Sequence, residues 1–429
     1  MPEYLPTAPT RGTRDFLPAE MSVRTQVFGH LYEVLERRGF LRYDGPILEP
    51  AEIYEAKSGQ EIADQQLYTL TDKGGRRLAL RPEMTPSVAR MIAGNAKSLS
   101  FPVRWYSHPN CHRYEKPQRG RVREHWQINA DIFGSDSANC EIEIFELIHD
   151  LMTALGATPD MFAVRVNDRN LLSSALLDLV GVSPEHLSQV FALVDRWEKL
   201  DRDKLAEGAA EIGLSDKQFE KLSEVLGAGT ALLDELPEHA KENSNLVKVL
   251  ASGAADLVRF EPIIVRGLAY YTSTVFEVFD TSPENRRALF GGGRYSDLAS
   301  LFTPQQITGI GFGMGDVTLM DFLDTHGLTP APRSEVDVMV VPVVEELLDA
   351  AREVAKSLRQ AGLRTSTPIE LRKLGKELAR ADKAGAAAVV IVGQEDWAAG
   401  NVTVRSLATR EQRQVPTAEA PAAVQALLS

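Results

Sequence analysis

Cysteine and long apolar runs are both scarce in this sequence of 429 residues. Cys111 and Cys140 are the only cysteines, and two cysteines cannot by themselves form a zinc knuckle. A disulfide between them is compatible with the sequence, although a reduced cytoplasmic protein is the simpler interpretation. Because the apolar runs are short, no membrane span is predicted, and the N-terminal segment lacks the apolar core of a signal peptide.

Basic charge is also in deficit, since 47 Lys and Arg residues face 60 Asp and Glu residues, for a formal net charge of −13. A general nucleic-acid-binding protein usually has a basic footprint, so composition alone favours an acidic enzyme without a nucleic-acid partner. A local basic stripe could still carry phosphate contacts. The length predicts two or three domains, and the content of 44% hydrophobic and 25% charged residues is typical of a globular protein.

Arginine, by contrast, is concentrated in residues 111–134. We predict two strands there, residues 103–115 and 122–133, joined by a loop in which Pro117 and Gly120 mark a turn. Guanidinium groups clamp phosphates bidentately and stabilise charge that develops during group transfer; the alternative is a solvated charged hairpin. The arginines that converge are Arg113, Arg119, Arg121 and Arg123.

Two stretches resemble known motifs. Residues 113–124, RYEKPQRGRVRE, resemble motif 2 of the class II aminoacyl-tRNA synthetases, in the form found in the histidyl-tRNA synthetases. Residues 266–271, RGLAYY, resemble the histidine-binding motif of the same family. Arg266 leaves an apolar strand, and a partly buried arginine needs an anionic partner. No acidic residue in this stretch supplies one, so the partner is either a ligand anion or a more distant carboxylate.

A strand-to-helix turn is predicted at residues 78–86, LALRPEMTP. Thr85 followed by Pro86 is typical of a helix N-cap with proline at the first helical position, and capping alone would explain Thr85. Glu83 would lie between the strand and the helix, where it could face a cationic group. The resemblance implies that Glu83 and Thr85 contact the amino group of bound histidine.

Two glycine-rich stretches lie nearer the C-terminus: a run of three glycines after an apolar strand within residues 289–295, which could be only a turn, and a predicted strand at residues 309–316. Glycine lets a backbone approach a ligand closely, so we expect the second strand, with glycine at every second position, to leave a slot for a flat base. With the helix expected from Asp316, this stretch resembles class II motif 3. A predicted helix at residues 18–38 and a strand ending at Pro50 resemble motif 1, which forms the dimer interface in the family and implies a homodimer.

The whole pattern predicts an α+β fold with a class II synthetase-like antiparallel sheet core and helices, a helical insertion, and a C-terminal α/β domain. The C-terminal domain follows a Pro-rich linker at residues 330–333. Its alternating elements indicate a mostly parallel sheet, and its place resembles that of the anticodon-binding domain. On a helix expected at residues 369–384, Arg372, Lys376 and Arg380 form either a tRNA-binding stripe or a solvated face. The expected domains are a catalytic domain at 1–171 continued by 261–328, the helical insertion at 172–260, and the anticodon-binding-type domain at 334–429.

Three positions depart from the family pattern. His125 stands where an aromatic residue commonly stacks on adenine, and Thr318 stands where an arginine covers the other face of the base. Ala269 stands where an acidic residue is common. The His125 ring can still stack on a base, whereas the sequence does not identify what replaces the arginine of motif 3.

The resemblance implies an ATP-dependent ligase that activates L-histidine as histidyl-adenylate and transfers it to tRNA(His). Mg²⁺ would enter with ATP, and neither a prosthetic group nor a metal site made by side chains alone is expected. Arg113 and Arg266 are the implied catalytic residues, on opposite sides of the α-phosphate. The implied histidine pocket consists of Glu83, Thr85, Arg113, Gln127, Asp131, Arg266, Tyr270 and Tyr271. The implied ATP contacts are Arg113, Glu115, Arg121, Arg123, His125, Gly291, Gly292 and Gly313.

Two alternatives lack this activity. One is a histidine-sensing paralogue that resembles the regulatory subunit of ATP phosphoribosyltransferase, although such subunits generally lack the C-terminal domain expected here. The other is a tRNA-binding stress sensor that keeps only the fold. Arg113 and Arg266 are both present, which counts against either alternative.

Overall fold

The computed structural model describes residues 4–56, 66–265, 270–285 and 287–428. Its contacts separate two compact units: the described residues of Met1–Phe16 and Arg24–Pro330, and those of Leu17–Val23 and Ala331–Ser429. The division after Pro330 falls within the segment predicted as a linker. None of the helices in the described ranges has both the length and the apolar character needed to cross a bilayer.

The first unit contains most of a long amphipathic helix, followed by short strands. Val27, Leu31 and Leu35 of this helix are buried, because their helical spacing places them on one face. Gly39 follows with a φ of 76°, the left-handed conformation that ends many helices. The elements are α1 (Pro18–Arg37), β1 (Leu41–Arg42), β2 (Leu48–Pro50), α2 (Glu52–Glu55), β3 (Tyr68–Thr71), β4 (Arg77–Leu80), α3 (Thr85–Asn95), β5 (Val103–Ser107), β6 (Asn110–His112), β7 (Glu124–Phe133), α4 (Asn139–Ala154) and β8 (Phe162–Asp168).

A run of short helices then begins, where the sequence predicts a helical insertion. Asp168 caps the first of them, since its side chain accepts a hydrogen bond of 2.8 Å from the backbone nitrogen of Asn170. Gly181 and Gly213 end helices in left-handed conformations. The elements are α5 (Arg169–Ser174), a π-helical turn (Ala175–Val180), a 3-10 turn (Pro184–His186), α6 (Leu187–Val194), α7 (Arg202–Ile212), α8 (Asp216–Gly227), α9 (Leu232–Glu235), α10 (Glu238–Glu242) and α11 (Asn245–Leu250).

The chain next returns to the sheet of the first unit through β9 (Arg259–Phe260), β10 (Thr274–Asp280), β11 (Ala288–Tyr295), β12 (Gly309–Gly315) and α12 (Asp316–Thr325). The strand order among the described residues is β1-β5-β7-β12-β11-β10-β8-β9, and β6 pairs with β7 as well. Every pair from β5 to β8 is antiparallel, as predicted for the sheet core. The two end pairs, β1–β5 and β8–β9, are parallel, so the sheet is mixed at its edges.

The core of this unit lies between the sheet and α4. Ile144, Phe145 and Ile148 of α4 are fully buried at helical spacing. The rings of Phe145 and Phe276 meet edge to face with centroids 5.3 Å apart, an arrangement that aromatic pairs prefer. The helix therefore covers one face of the sheet near β10, and the strands of the arginine-rich hairpin lie farther along the same sheet.

Three local predictions were wrong in detail. Thr85 is the first helical residue rather than the N-cap; Met84 precedes it and accepts the first helical hydrogen bond, from the nitrogen of Val88 at 2.9 Å. The strand expected at residues 103–115 is broken between β5 and β6, because proline at 109 cannot donate to a sheet ladder. The helix expected from residue 369 begins only at Leu374.

The second unit contains a five-stranded sheet in the order β14-β13-β15-β16-β17. The pairs β13–β14 and β13–β15 are parallel, whereas β15–β16 and β16–β17 are antiparallel, so the expectation of a mostly parallel sheet was wrong. The neighbouring strands β13 and β15 are buried along their whole length, which explains their continuous apolar sequences. The elements are β13 (Val338–Pro342), α13 (Leu348–Gln360), β14 (Thr365–Ser366), α14 (Leu374–Lys383), β15 (Ala388–Val392), α15 (Gln394–Ala398), β16 (Asn401–Ser406), β17 (Gln412–Pro416) and α16 (Ala420–Gln425).

A buried ion pair joins α4 to β11 in the first unit. The guanidinium of Arg294 contacts the carboxylate of Glu141 through two hydrogen bonds of 2.5 and 2.7 Å. Arg294 is 4% exposed and Glu141 0% exposed, so neither charge has water to solvate it. Arg294 also donates to the backbone oxygen of Ser135 and to the hydroxyl of Thr308. Because these hydrogen bonds satisfy the donors and acceptors of both side chains, the ion pair is tolerated in the interior of the protein. The pair also fixes α4 against the sheet.

We expect Arg294→Met to lower the free energy of unfolding by about 3–5 kcal/mol, because the Glu141 charge would stay buried without a partner. Urea unfolding followed by fluorescence would measure the loss. The control is Arg202→Met, which breaks an ion pair with Glu220 that is 61% exposed on both sides and should cost less than about 1 kcal/mol. Equal losses in the two variants would contradict the prediction.

Candidate active site

The arginine-rich hairpin is closed by backbone hydrogen bonds at both ends. The nitrogen of Arg113 donates to the oxygen of Arg123 at 2.9 Å, directly beyond β6 and β7. At the tip, Gln118 and Arg121 exchange two hydrogen bonds of 3.0 and 2.9 Å, and Gly120 takes a φ of +75° between them. The left-handed residue at this turn explains why the sequence has glycine there.

A cavity of about 190 Å³ opens between this hairpin and the end of β12. Arg113 lies in its wall, held by a hydrogen bond of 2.9 Å from its Nε to the backbone oxygen of Pro82. This bond fixes the Nε atom of Arg113, while the two terminal nitrogens of its guanidinium remain available to a ligand. The lining residues are Arg113, Glu115, Gly120, Arg121, Val122, His125, Gln127, Gly313, Gly315, Val317 and Thr318.

The cavity contains some of the residues predicted to bind ATP and leaves out others. Among the predicted ATP contacts, Arg123 lies outside, with its guanidinium 4.4 Å from the ring centre of Tyr114 and its Nε donating to the oxygen of Glu115. Gly291 and Gly292 are buried in β11 and do not line this cavity. The predicted ATP contacts that the structure brings together there are Arg113, Glu115, Arg121, His125 and Gly313.

His125 is an uncharged ring at neutral pH. Burial, together with the neighbouring charge of Arg113, lowers the pKa of its imidazole to about 3. A neutral imidazole can lie against the face of a base without repelling the arginine beside it. The structure is therefore compatible with the stacking role that the sequence suggested for this residue.

The alternating glycines of β12 are not a vacant slot, so that expectation was wrong. A Cβ atom at Gly313 would lie 1.6 Å from Nε2 of Gln127, and one at Gly311 would lie 2.1 Å from Oδ1 of Asp131. Each glycine is thus covered by a polar side chain from the neighbouring strand β7. The space that glycine leaves is what allows Gln127 and Asp131 to lie flat across the sheet.

Two buried carboxylates, Glu83 and Asp131, each have one oxygen without a hydrogen-bond partner among the described residues. Glu83 accepts a hydrogen bond of 3.0 Å from the hydroxyl of Tyr270, and Asp131 accepts one of 2.7 Å from Tyr295. The second oxygen of each carboxylate, Oε1 of Glu83 and Oδ2 of Asp131, is buried without a hydrogen-bond partner among the described residues. Because buried polar atoms are normally paired, such atoms indicate a place where a ligand donor or a water is bound.

Aromatic rings lie beside these two carboxylates. The ring centres of Tyr270 and Tyr271 are 4.7 Å apart, and those of Tyr270 and Tyr295 are 5.9 Å apart. Thr85 is buried in the first turn of α3. The predicted histidine-pocket residues with described positions are therefore gathered on adjacent elements of the first unit. Arg266 and Ala269 lie outside the described residues, but Asn167 fixes the approach to them by donating to the oxygens of Pro262 and Ile264 at 2.8 and 3.0 Å.

Sequence reasoning missed two residues that position this site. Tyr295, the donor to Asp131, reaches it across Gly309, where a Cβ atom would lie 2.6 Å from the tyrosine ring. Asp316 is fully buried and accepts hydrogen bonds from Arg14 at 2.9 Å, from Arg24 at 2.5 Å and from the backbone nitrogen of Trp126 at 3.0 Å. An aspartate that begins a helix after a glycine strand was the available signal for Asp316.

Burial raises the pKa of the Asp131 carboxyl to about 7, and the hydrogen bond from Tyr295 offsets part of this rise. The folded state therefore binds a proton that the unfolded state releases near pH 4, and stability falls as the pH rises from about 4 to about 7. Because this pKa is close to physiological pH, the Asp131 carboxyl can gain or lose its proton according to the protonation of a ligand beside it.

We expect Asp131→Asn to gain stability relative to the parent protein as the pH rises from 5 to 8, since the amide has no charge to bury. Urea unfolding at both pH values would measure the change. The control is Asp203→Asn, at an exposed position in the first turn of α7, whose effect should hardly depend on pH. A pH-independent difference for Asp131→Asn would show that its carboxyl does not titrate in this range.

Known proteins are similar to this chain over nearly its full length. The family model of histidyl-tRNA synthetase matches residues 12–319, and the model of the anticodon binding domain matches residues 337–427. A protein named histidine–tRNA ligase from Leptospira biflexa is 39% identical over 416 residues, covering 96% of this chain and 95% of that protein. One of the same name from Halobacterium salinarum is 38% identical over 423 residues, covering 96% of both chains.

A solved structure of histidyl-tRNA synthetase from a Nostoc species superimposes with a TM-score of 0.82 and 24% identity, covering 99% of this chain and 100% of that one. This likeness confirms the predicted fold, and the sequence matches confirm the predicted family. The chain belongs to the histidyl-tRNA synthetase family.

Proposed function

We propose that this protein ligates L-histidine to tRNA(His) with ATP as the energy source. In the first step a carboxylate oxygen of histidine attacks the α-phosphorus of ATP, and the bond to pyrophosphate breaks. In the second step a ribose hydroxyl of the tRNA end attacks the acyl carbon, and AMP leaves. The observation that supports this most directly is the position of an arginine-lined cavity beside two buried carboxylates that each have one unpaired oxygen.

The proposed histidine site uses the two carboxylates for different ends of the amino acid. Glu83 would accept hydrogen bonds from the α-ammonium group, and Asp131 would accept one from an imidazole nitrogen and so fix its tautomer. The aromatic rings of Tyr270 and Tyr271 would wall the pocket. Thr85 and Gln127 would complete it with polar contacts, while Arg266 would lie opposite Arg113 during the first step.

The proposed ATP site is the cavity beside the hairpin. Arg113 would hold the α-phosphate, where its charge stabilises the negative charge that builds up during transfer. Glu115 would accept a hydrogen bond from the adenine amino group, and the neutral ring of His125 would stack on the base. Arg121 would add positive charge near the phosphates; Arg123, Gly291, Gly292 and Gly313 complete the proposed ATP contacts.

We further propose that ATP enters as its magnesium complex, because Mg²⁺ is usually held by substrate phosphates with one or two carboxylates. The described ranges contain no group of three or more His, Cys, Asp or Glu residues placed to hold a metal. Among the described residues that line the first cavity, Glu115 supplies the carboxylate, and its Oε2 lies 3.6 Å from Nε of Arg121. When bound, the ion would neutralise charge on the leaving pyrophosphate.

The proposed assembly is a homodimer that works in the cytoplasm, where its tRNA partner is charged. Leu41, Ile47 and Leu48, next to or within the short strands β1 and β2, are 67%, 40% and 38% exposed, which is compatible with a partner covering them. The proposed domains are a catalytic domain at residues 1–171 and 261–328, a helical insertion at 172–260, and an anticodon-binding domain at 334–429.

The test of this function is histidine-dependent exchange of labelled pyrophosphate into ATP, followed by charging of tRNA(His) by the same preparation. Both reactions are expected. Exchange without charging would indicate that tRNA transfer is assigned wrongly. The absence of both, from a protein that still binds histidine, would favour a histidine-sensing paralogue, an alternative that no observation here favours.

We expect Arg113→Ala to reduce the exchange rate about a hundredfold or more, because one lost donor to a developing charge has an effect of this size. Arg76→Ala, at a turn position 79% exposed, is the control and should leave the rate unchanged. Circular dichroism of both variants would check folding. A folded Arg113→Ala protein with near-normal exchange would remove this arginine from the chemistry.

For tRNA binding, Arg372, Lys376 and Arg380 are exposed on or just before α14, and Arg380 lies 3.2 Å from the carboxylate of Glu377. Replacing the three with alanine should weaken tRNA binding and lower the slope of log affinity against log salt by roughly 2, with pyrophosphate exchange unchanged. The matched control replaces three exposed cations of α13, Arg352, Lys356 and Arg359. Equal losses in the two triple variants would show that the α14 residues form only a solvated face.

A further inference from the structure

A second cavity, of about 200 Å³, adjoins the proposed ATP site. The two cavities share Gly120 at the tip of the hairpin and Thr318 in the first turn of α12. A nucleotide held in the first cavity would therefore lie directly beside the second. The remaining residues that line the second cavity are Arg119, Glu284, Asn285, Arg287, Leu289 and Asp321.

Arg287 comes directly before β11 and lies close to Gly120, which borders both cavities. A Cβ atom at Gly120 would be 3.6 Å from Cγ2 of Thr318 and 3.8 Å from Cδ of Arg287, so both side chains lie at contact distance from the same bare backbone. The hydroxyl of Thr318 donates to the backbone oxygen of Leu289, and its methyl group is on the side of Gly120. The threonine thus offers an apolar surface, with the guanidinium stem of Arg287 beside it.

The two arginines of the second cavity differ in what they already contact. Arg119 donates a hydrogen bond of 3.2 Å to the side-chain oxygen of Asn285. Arg287 is exposed, and no hydrogen bond or ion pair ties its side chain to another residue in the described part of the chain. Its guanidinium can therefore contact a ligand in this cavity without first breaking a hydrogen bond.

The surroundings favour the flat face of a base over a phosphate. Glu284 and Asp321 line the same cavity, and their negative charges would oppose a phosphate group there. Gly120, Leu289 and the methyl group of Thr318 provide an apolar surface for a ring. A planar guanidinium stacks on aromatic faces, which a lysine ammonium group does less well.

We propose that Arg287 lies against the adenine ring of bound ATP, on the side of the base that faces the second cavity. His125 would then contact the base from the first cavity, and Arg287 would supply, from the chain just before β11, the cation that is absent at Thr318. This inference rests on the proposed function, because it identifies a further contact of the same nucleotide.

Pyrophosphate exchange by the full-length protein tests the assignment. Arg287→Ala should raise the KM for ATP about tenfold and change the KM for histidine less than twofold. Arg287→Lys should recover little of this loss, because it restores charge without the planar face. Arg287→Ala combined with Thr318→Arg should bring the KM for ATP back to within about threefold of the parent value, since both positions border Gly120. Arg259→Ala, an exposed position on β9 outside both cavities, is the control and should change neither constant.

Inhibition separates a base contact from a phosphate contact. Adenosine should inhibit exchange by the Arg287→Ala variant about tenfold more weakly than exchange by the parent, and the KM for pyrophosphate should be the same in both. A raised KM for pyrophosphate in the variant would overturn the base contact, as would an unchanged KM for ATP or full recovery by lysine. If the parent protein shows no exchange, the proposed function fails. Adenosine binding measured by calorimetry would then still test Arg287, and equal binding by parent and variant would overturn the inference.

Discussion

The candidate site depends on the packing of long side chains over one face of β12, where every residue is glycine. Gln127, Asp131 and Tyr295 each lie across a glycine of β12, at distances where even a methyl group could not fit. The strand therefore acts as a floor of backbone, and its neighbours β7 and β11 supply the functional groups. The polar side chains run along the sheet rather than away from it, which brings Asp131 within 2.7 Å of the Tyr295 hydroxyl.

Burial of charge gives this arrangement its electrostatic character. Asp131 pays a desolvation cost that raises its pKa to about 7, and His125 loses its proton for the same reason. Other buried charges have direct partners of opposite charge, as Glu141 with Arg294 and Asp316 with Arg14 and Arg24 show. Glu83 and Asp131 instead accept hydrogen bonds from tyrosines, and the second oxygen of each has no partner among the described residues.

The sequence was sufficient for the sheet core, the helical segment and most of the residues around the cavity, because these depend on local periodicity and on dense motifs. The glycine-rich strand β12 shows why the sequence could not predict the rest of the site. Alternating glycines predict that side chains are missing from one face, but only the pairing of β12 with β7 reveals what fills that face. Tyr295 could not be found for the same reason, since its contact with Asp131 depends on the pairing of β12 with β7, which is distant in the chain. Thr85 was predicted one position away from its place in the turn, a difference that depends on which backbone oxygen closes the first helical turn.

The glycine floor also limits how the selectivity of this pocket could be redesigned. Gly311 and Gly313 leave no room for any side chain while Asp131 and Gln127 keep their present conformations. A protein engineer who wishes to admit a larger or differently charged amino acid would have to vary the strands on either side. Variants with side chains in place of the β12 glycines would mostly misfold or displace Asp131 and Gln127 from the pocket. Libraries that vary β7 and β11 together would instead change the pocket while keeping the β12 backbone.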